Sequence, residues 1–513
     1  MKKILFLLLF PALVFSQDGA FRYFISFANK ANTGYSIDTP EQYLSERTIA
    51  KRKKYGIPID STDLPITEQY INELISQEFI IENKSRWFNG VIVSTFDSLL
   101  IHTLGHNFID TVINFGSWEN TKKINKKWKI NYNISDYGDS YNQLQMLGGD
   151  LMHSKGFLGK GIIIAVIDAG FYKVNELDVF SDLQSQILAT YDFVDGNTNV
   201  YDDHAHGMMV LSTMAAKKST NMIGTAPEAN YLLLRSEDVF SENLIEEYMW
   251  ICAAEYADSA GADIINSSLG YTTFDNINQN HSYNDMDGKT TPISIGAGIA
   301  CKKGIIVVNS AGNSGTSTWH YIGAPADHPD VLSVGAVDEY KEFASFSSYG
   351  PNYEGFTKPN VVAQGKNTLV ATSSNEFMTA NGTSFSSPVT AGMVACLWSA
   401  SCYSKPHEIK DAIYKSSDRY ITPNHQFGYG VPNYYNAYQL LNNTINLSEG
   451  IPINTLIEYK VYTMNGKEIS NGKTILYNED SVLSFIKPKT AGIYLIHLFA
   501  ASFKLNKKFI VFE

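Results

Sequence analysis

Gly161-Ile162-Ile163-Ile164-Ala165-Val166-Ile167-Asp168-Ala169-Gly170 is a continuous apolar run that ends in a carboxylate. An unbroken run of this kind suits a strand buried on both faces of a parallel sheet, and functional groups in such sheets gather at the carboxyl ends of the strands. Working outward, apolar strand candidates recur at 188–193, 231–234, 263–266, 304–309, 331–337 and 360–362. Helical patterns lie between several of them, at 207–216, 245–260, 386–399 and 407–416. That alternation predicts an α/β domain with a parallel sheet and helices on both faces, over residues 141–443.

Two further stretches carry chemistry. Asp203-His204-Ala205-His206-Gly207-Met208-Met209-Val210 opens a helix of small and apolar residues with a histidine. Asn381-Gly382-Thr383-Ser384-Phe385-Ser386-Ser387-Pro388 leads through a turn into another apolar helix, with Pro388 expected in its first turn. Ser384 then sits where unpaired N–H groups and the helix dipole favour negative charge, as the oxyanion of acyl transfer requires. Alone, the serine reads equally well as a helix N-cap. The order Asp, His, Ser breaks the tie, because it is one of the chain orders in which this triad occurs.

On the Asp-x-Gly at Asp168, the His-Gly at His206 and the Gly-Thr-Ser-x-x-Ser-Pro at Ser384, the chain resembles the subtilisin-like serine peptidases, or subtilases. The resemblance implies Asp168, His206 and Ser384 as the triad and a secreted serine endopeptidase made as a zymogen. A silent binding protein on the same scaffold and a transpeptidase are the alternatives. The resemblance also implies Asn313, in Ala311-Gly312-Asn313, as the oxyanion donor, with Asn309 a decoy inside a strand. Ser268-Leu269-Gly270 would be the edge that pairs with substrate backbone. Gly323 would be the floor of the main side-chain pocket, which predicts apolar side chains before the cut. The family's second histidine is replaced in Met208-Met209-Val210-Leu211-Ser212, and Phe385-Ser386 stands where Met-Ala is commoner. His204 reads as a loop histidine.

The rest of the 513-residue chain has room for about three domains. Its 44% hydrophobic content supports sizeable cores, and its net charge of −12 argues against a nucleic-acid partner. Residues 1–16 read as a secretory signal, with Lys2 and Lys3 before a short apolar run; no segment is long enough to span a membrane. Residues 17–115 read as a small α+β pro-domain with strands at 21–27, 78–82, 90–95 and 108–114 and helices at 41–55, 66–77 and 98–104, a split βαβ pattern. Residues 116–140, with Lys122, Lys123, Lys126 and Lys127, read as a processing linker.

Residues 444–513 alternate, with a hairpin expected at 456–469 around Asn465-Gly466 and strands at 482–486, 492–498 and 507–512. This tail resembles the β-sandwich sorting domain of the type IX secretion pathway, which would make that machinery a partner and the cell surface or medium the destination. An accessory carbohydrate-binding sandwich is the other reading. A monomer acting on proteins and peptides is expected. No cofactor is required, and structural calcium is an option at Asp202-Asp203 or Asp285-Asp287, which otherwise read as solvated turns. Cys396 and Cys402 either bridge or, with Cys252 and Cys301, remain free thiols.

Overall fold

The computed structural model describes residues 20–104, 108–117, 137–218, 220–443, 456–463, 466–475, 492–500 and 503–511. The expected signal at 1–16, most of the expected linker and the expected strand at 482–486 lie outside them.

The N-terminal unit comprises β1 (Phe21–Phe27), α1 (Glu46–Tyr55), α2 (Glu68–Ser76), β2 (Ile80–Ser85), β3 (Gly90–Thr95) and β4 (Ile109–Gly116). Its strands form an antiparallel sheet in the order β2-β3-β1-β4. Alternation along the strands sends Tyr23, Ile25, Val91 and Val93 onto Ile71 and Leu74, while Phe24 and Ile92 face the body of the protein. That two-sided burial is why β3 is buried throughout. The helix expected from 41 starts at Glu46, because Ser45 caps it by accepting the Thr48 N–H at 3.2 Å. The strand expected from 78 starts at Ile80, because Glu78 is left-handed at φ 68°. The helix expected at 98–104 is a 3₁₀ turn over Leu100–Thr103.

The body opens with α3 (Tyr141–Gln145) and α4 (Gly149–Ser154), followed by β5 (Ile163–Asp168) and β6 (Ile187–Asp192). Next come α5 (His206–Ala215), the short pair β7 (Lys217–Lys218) and β8 (Met222–Ile223), and β9 (Asn230–Arg235). The chain continues through α6 (Ile245–Ala260), β10 (Ile264–Ser267), α7 (Pro292–Lys302), β11 (Ile306–Ser310), β12 (Leu332–Val337) and β13 (Val361–Gln364). A hairpin of β14 (Thr368–Ala371) and β15 (Phe377–Ala380) leads to α8 (Thr383–Ala400), α9 (Pro406–Lys415) and α10 (Tyr434–Asn443).

Seven strands make one parallel sheet in the order β13-β12-β11-β10-β5-β9-β6. After β5 the chain runs out to the β6 edge, returns through β9, and crosses by α6 to β10 on the other side of β5. The carboxyl end of β5 is therefore the switch point of the sheet, where an open crevice forms. Ile164 and Val166 pack on the face covered by α5 and α8, and Ile163, Ala165 and Ile167 on the face covered by α6 and α7. Two covered faces explain the unbroken apolar run.

α8 passes through the core and is buried along almost its whole length. It begins at Thr383, so Pro388 lies in the second turn and not, as its position in the sequence suggests, in the first. Beyond the body, β16 (Leu456–Thr463), β17 (Glu468–Ile475), β18 (Gly492–Ala500) and β19 (Phe503–Val511) form a single antiparallel sheet in the order β17-β16-β18-β19. Among the described residues this tail shows one layer.

Candidate active site

Asp168 is the last residue of β5 and is 1% exposed. Its Oδ1 accepts the Ala169 N–H at 2.8 Å and the Nδ1–H of His206 at 2.7 Å. His206 is the first residue of α5, and the glycines of both motifs let these elements meet. A Cβ on Gly207 would lie 2.4 Å from the Gly170 carbonyl oxygen and 3.0 Å from Asp168 Cβ. Gly170, at φ +138°, leaves room for the backbone of His204, which a Cβ would approach to 2.7 Å. His204 stays in the loop, where its Nδ1 accepts the His206 N–H at 3.3 Å.

Burial works against a charged imidazole at His206, but the Asp168 carboxylate outweighs it and raises His206 to about 9. Phe385 flanks the ring, with centroids 6.1 Å apart.

Ser384 is the second residue of α8, behind Gly382 at φ +153°, and is 8% exposed. Its hydroxyl donates to the Ser268 carbonyl at 3.3 Å, and among the described residues no hydrogen bond joins it to His206. The Ser268 hydroxyl donates in turn to the Ser384 carbonyl at 2.9 Å. That carbonyl is free for it because Pro388, four residues on, has no N–H to offer.

Asn313 enters from the loop after β11. Its Oδ1 accepts both the Thr383 N–H at 2.9 Å and the Thr383 hydroxyl at 3.0 Å, which assigns the amide and turns Nδ2 away from Thr383. A Cβ on Gly382 would lie 3.6 Å from Ser384 N and 3.7 Å from Asn313 Nδ2. Two donors thus converge on the space that this glycine leaves open, beside the serine. Asn309 is buried in β11, and its amide is spent on the carbonyls of Leu269 (3.0 Å) and Ser310 (2.8 Å).

Ser268, Leu269 and Gly270 follow β10, the first two buried and Gly270 exposed. The Leu269 carbonyl is occupied by Asn309 and by Ser310 Oγ at 3.3 Å. Gly323 lies against the same segment, and a Cβ there would press on Thr272 Cγ2 at 3.2 Å. Tyr321 stacks on Tyr283 at 3.9 Å, and Trp319 folds back to donate its indole N–H to the Ile322 carbonyl.

No sequence pattern singled out Glu237. It follows the end of β9, where the neighbouring Ser236 N–H donates to the Asp168 carbonyl at 3.1 Å. Burial first, and then Asp168, push its carboxyl up to about 8, against the pull of His206 and of a hydrogen bond from Tyr271. Proximity to Asp168 could be found only from the pairing of β9 with β5.

Of the two loops considered for calcium, Asp285 accepts the Ser282 N–H and hydroxyl, and Asp287 accepts the Lys289 and Thr290 N–H groups, all at 2.7–2.8 Å. Both are caps of local turns. Asp203 belongs to a carboxylate group with Asp192 and Asp195, oxygen donors of the kind calcium prefers, whose ligand atoms lie within 4.8 Å of one another. All four cysteines are free, so Cys396 and Cys402 do not bridge. Cys396 is buried with its thiol on the Thr225 carbonyl, and Cys402 is exposed. No helix among the described residues is long and apolar enough to cross a membrane.

A model of the subtilase family matches residues 159–430. A model of the peptidase S8 propeptide domain of Bacteroidota matches residues 22–131, which carries the match past 115 into the Lys-rich stretch. The chain is 34% identical over 276 residues to the thermophilic serine proteinase of Bacillus sp. (strain AK1), covering 53% of this chain and 61% of that protein. It is 30% identical over 292 residues to the serine protease AprX of Bacillus subtilis (strain 168), covering 51% and 62%. Against subtilisin E of the same organism it is 29% identical over 292 residues, covering 56% and 68%. The chain spans about three fifths of the length of the first two relatives.

Proposed function

The chain belongs to the subtilase family, and from that premise we propose that it is a serine endopeptidase made as a zymogen and exported. The observation that carries this reading is the 2.7 Å bond between His206 and Asp168 at the switch point of the sheet, with Ser384 presented on the start of α8.

Turning about its Cα–Cβ bond, Ser384 Oγ leaves the Ser268 carbonyl and gives its proton to His206 Nε2 as it attacks the scissile carbonyl. Asp168 orients the imidazole and stabilises its charge. The Ser384 N–H and Asn313 Nδ2 hold the oxyanion, where one such donor is worth roughly 10²–10³ in turnover, a figure taken from subtilisin itself. His206 then protonates the leaving amine, and water resolves the acyl-enzyme. Once the hydroxyl has moved, the Ser268 carbonyl is free to accept an N–H of the substrate backbone. Gly323 sets the floor of the side-chain pocket.

Residues 1–16 act as the signal, 17–115 as pro-domain, 116–140 as processing linker, 141–443 as catalytic domain and 444–513 as a type IX sorting domain. Structural calcium is optional, and the mature protein is a monomer.

Ser384→Ala tests the reading. The variant should fold, keep its pro-domain, lose labelling by a serine-directed phosphonate, and lose roughly 10⁶ in turnover, again a subtilisin figure. Labelling that persists in a folded variant sinks the assignment. A peptide-library digest by the wild type should cut after Phe, Tyr, Leu or Met, because burying an apolar side chain contributes about 1.5–3 kcal/mol and an unpaired buried charge costs more. Deleting 450–513 should strand folded protein in the periplasm; normal export would favour an accessory domain.

A further inference from the structure

Arg235 ends β9 directly opposite Asp168, its partner in the β5–β9 register. It is 4% exposed, yet its side chain reaches three aspartates along the connection from the end of β6 to α5. Asp192 ends β6, Asp195 lies in the turn that follows, and Asp203 stands three residues before His206. Nη1 alone serves all three, at 2.8 Å to Asp192, 2.9 Å to Asp195 and 3.5 Å to Asp203. Nε is buried with no partner. The guanidinium therefore does not pair as a fork with one carboxylate; one atom sits among three acceptors, as a metal ion would.

The loop held this way is the one that brings in His206. On one side its backbone lies on the segment just after Asp168, with Phe171 N–H on the Val200 carbonyl at 2.8 Å and Lys173 N–H on the Tyr201 carbonyl at 2.9 Å. On the other side, Asp203 faces Arg235. We infer that Arg235 takes the place of a bound cation among Asp192, Asp195 and Asp203 and, by holding the loop before His206, acts as a positioning residue for the Asp168–His206 pair. The inference rests on the peptidase reading for its kinetic part and is independent of it for its cation part.

Both parts can be tested in the full-length chain. Calcium binding is measured by calorimetry on Ser384→Ala and on Ser384→Ala with Arg235→Ala, where no activity is needed. The second protein should bind one calcium ion more than the first. Equal stoichiometry in two folded proteins overturns the cation part. Kinetics then use the active chain carrying Asp203→Asn, a change in a partly exposed loop that leaves the buried Arg235–Asp192 contact in place. Turnover should fall about tenfold or more, with KM within twofold, because a small displacement of a reacting group costs rate and not binding. Arg235→Lys, which keeps a cation, should restore more turnover than Arg235→Ala. Unchanged turnover in Asp203→Asn, or no difference between Lys and Ala at 235, overturns the positioning role. If Arg235→Ala does not fold, Arg235→Gln takes its place in the calorimetry, and the Asp203→Asn result decides the positioning role.

Discussion

The bond between Asp168 and His206 sets a pH range as well as a geometry. His206 is raised to about 9, so the pair's contribution to stability is complete below the ordinary imidazole value near 6.5 and is lost as pH rises through about 9. Activity runs the other way, because a general base must be neutral, and kcat/KM of the resting enzyme should climb through the same interval. Glu237 adds to the pull on the imidazolium. Glu237→Gln removes that charge, and the acidic limb of kcat/KM for an uncharged substrate should move to lower pH. A limb that stays in place or moves up would show that Glu237 does not act on His206.

At the scale of the element, the start of α8 depends on a partner from the segment that follows β10. Pro388 leaves the Ser384 carbonyl without its helical donor, and the Ser268 hydroxyl supplies one at 2.9 Å. The same two residues exchange a second bond, Ser384 Oγ to Ser268 carbonyl, so the segment after β10 and the start of α8 are stitched together at the proposed nucleophile. Ser268→Ala leaves a buried carbonyl unserved, which costs about 1–3 kcal/mol. Urea unfolding of the Ser384→Ala protein with and without Ser268→Ala measures it, and equal midpoints would mean that the carbonyl finds another donor.

For the whole molecule, the N-terminal unit is held to the body by buried charge as well as by apolar contact. Arg52, 1% exposed, bonds Asp63 of its own unit at 3.2 Å and Asp258 of α6 at 2.8 Å. Arg86 also reaches Asp258, at 2.9 Å, and Lys303 of the body reaches Asp63 at 2.7 Å. Glu255 accepts the Ser85 hydroxyl and the N–H groups of Arg86 and Trp87. Removing one member of a buried ion pair costs about 3–5 kcal/mol, because the other charge stays buried. Arg52→Ala should come at the lower end, since Arg86 and Lys303 remain. Unfolding of the uncleaved Ser384→Ala zymogen reads the loss, and a stability within 0.5 kcal/mol or so of the parent would show the network to be neutral.

What the sequence determined by itself is local. The run from Ile162 to Ile167 suited a strand covered on both faces, and the two small-residue helices were legible, α5 to within one residue of its start and α8 from 386 where it begins at Thr383. The glycines at 170, 207 and 382 were legible as motif letters, but their reason is tertiary: each leaves space for a backbone or a donor that arrives from elsewhere in the chain. Pro388 was misplaced by one turn because helix starts are set by the cap, here Gly382, and not by the proline. Glu237 and Arg235 carried no signal at all, and Ser268 was legible only as the first letter of the Ser-Leu-Gly edge, not as a partner of Ser384. The partner of Ser268 lies 116 residues away, Glu237 lies near Asp168 of β5, and Arg235 pairs with aspartates at the end of β6 and in the loop that follows it. Only the parallel pairing of β5 with β9 and β10 brings them to one edge, and that pairing is a property of the folded sheet, since no stretch of the chain records which strand will lie beside it.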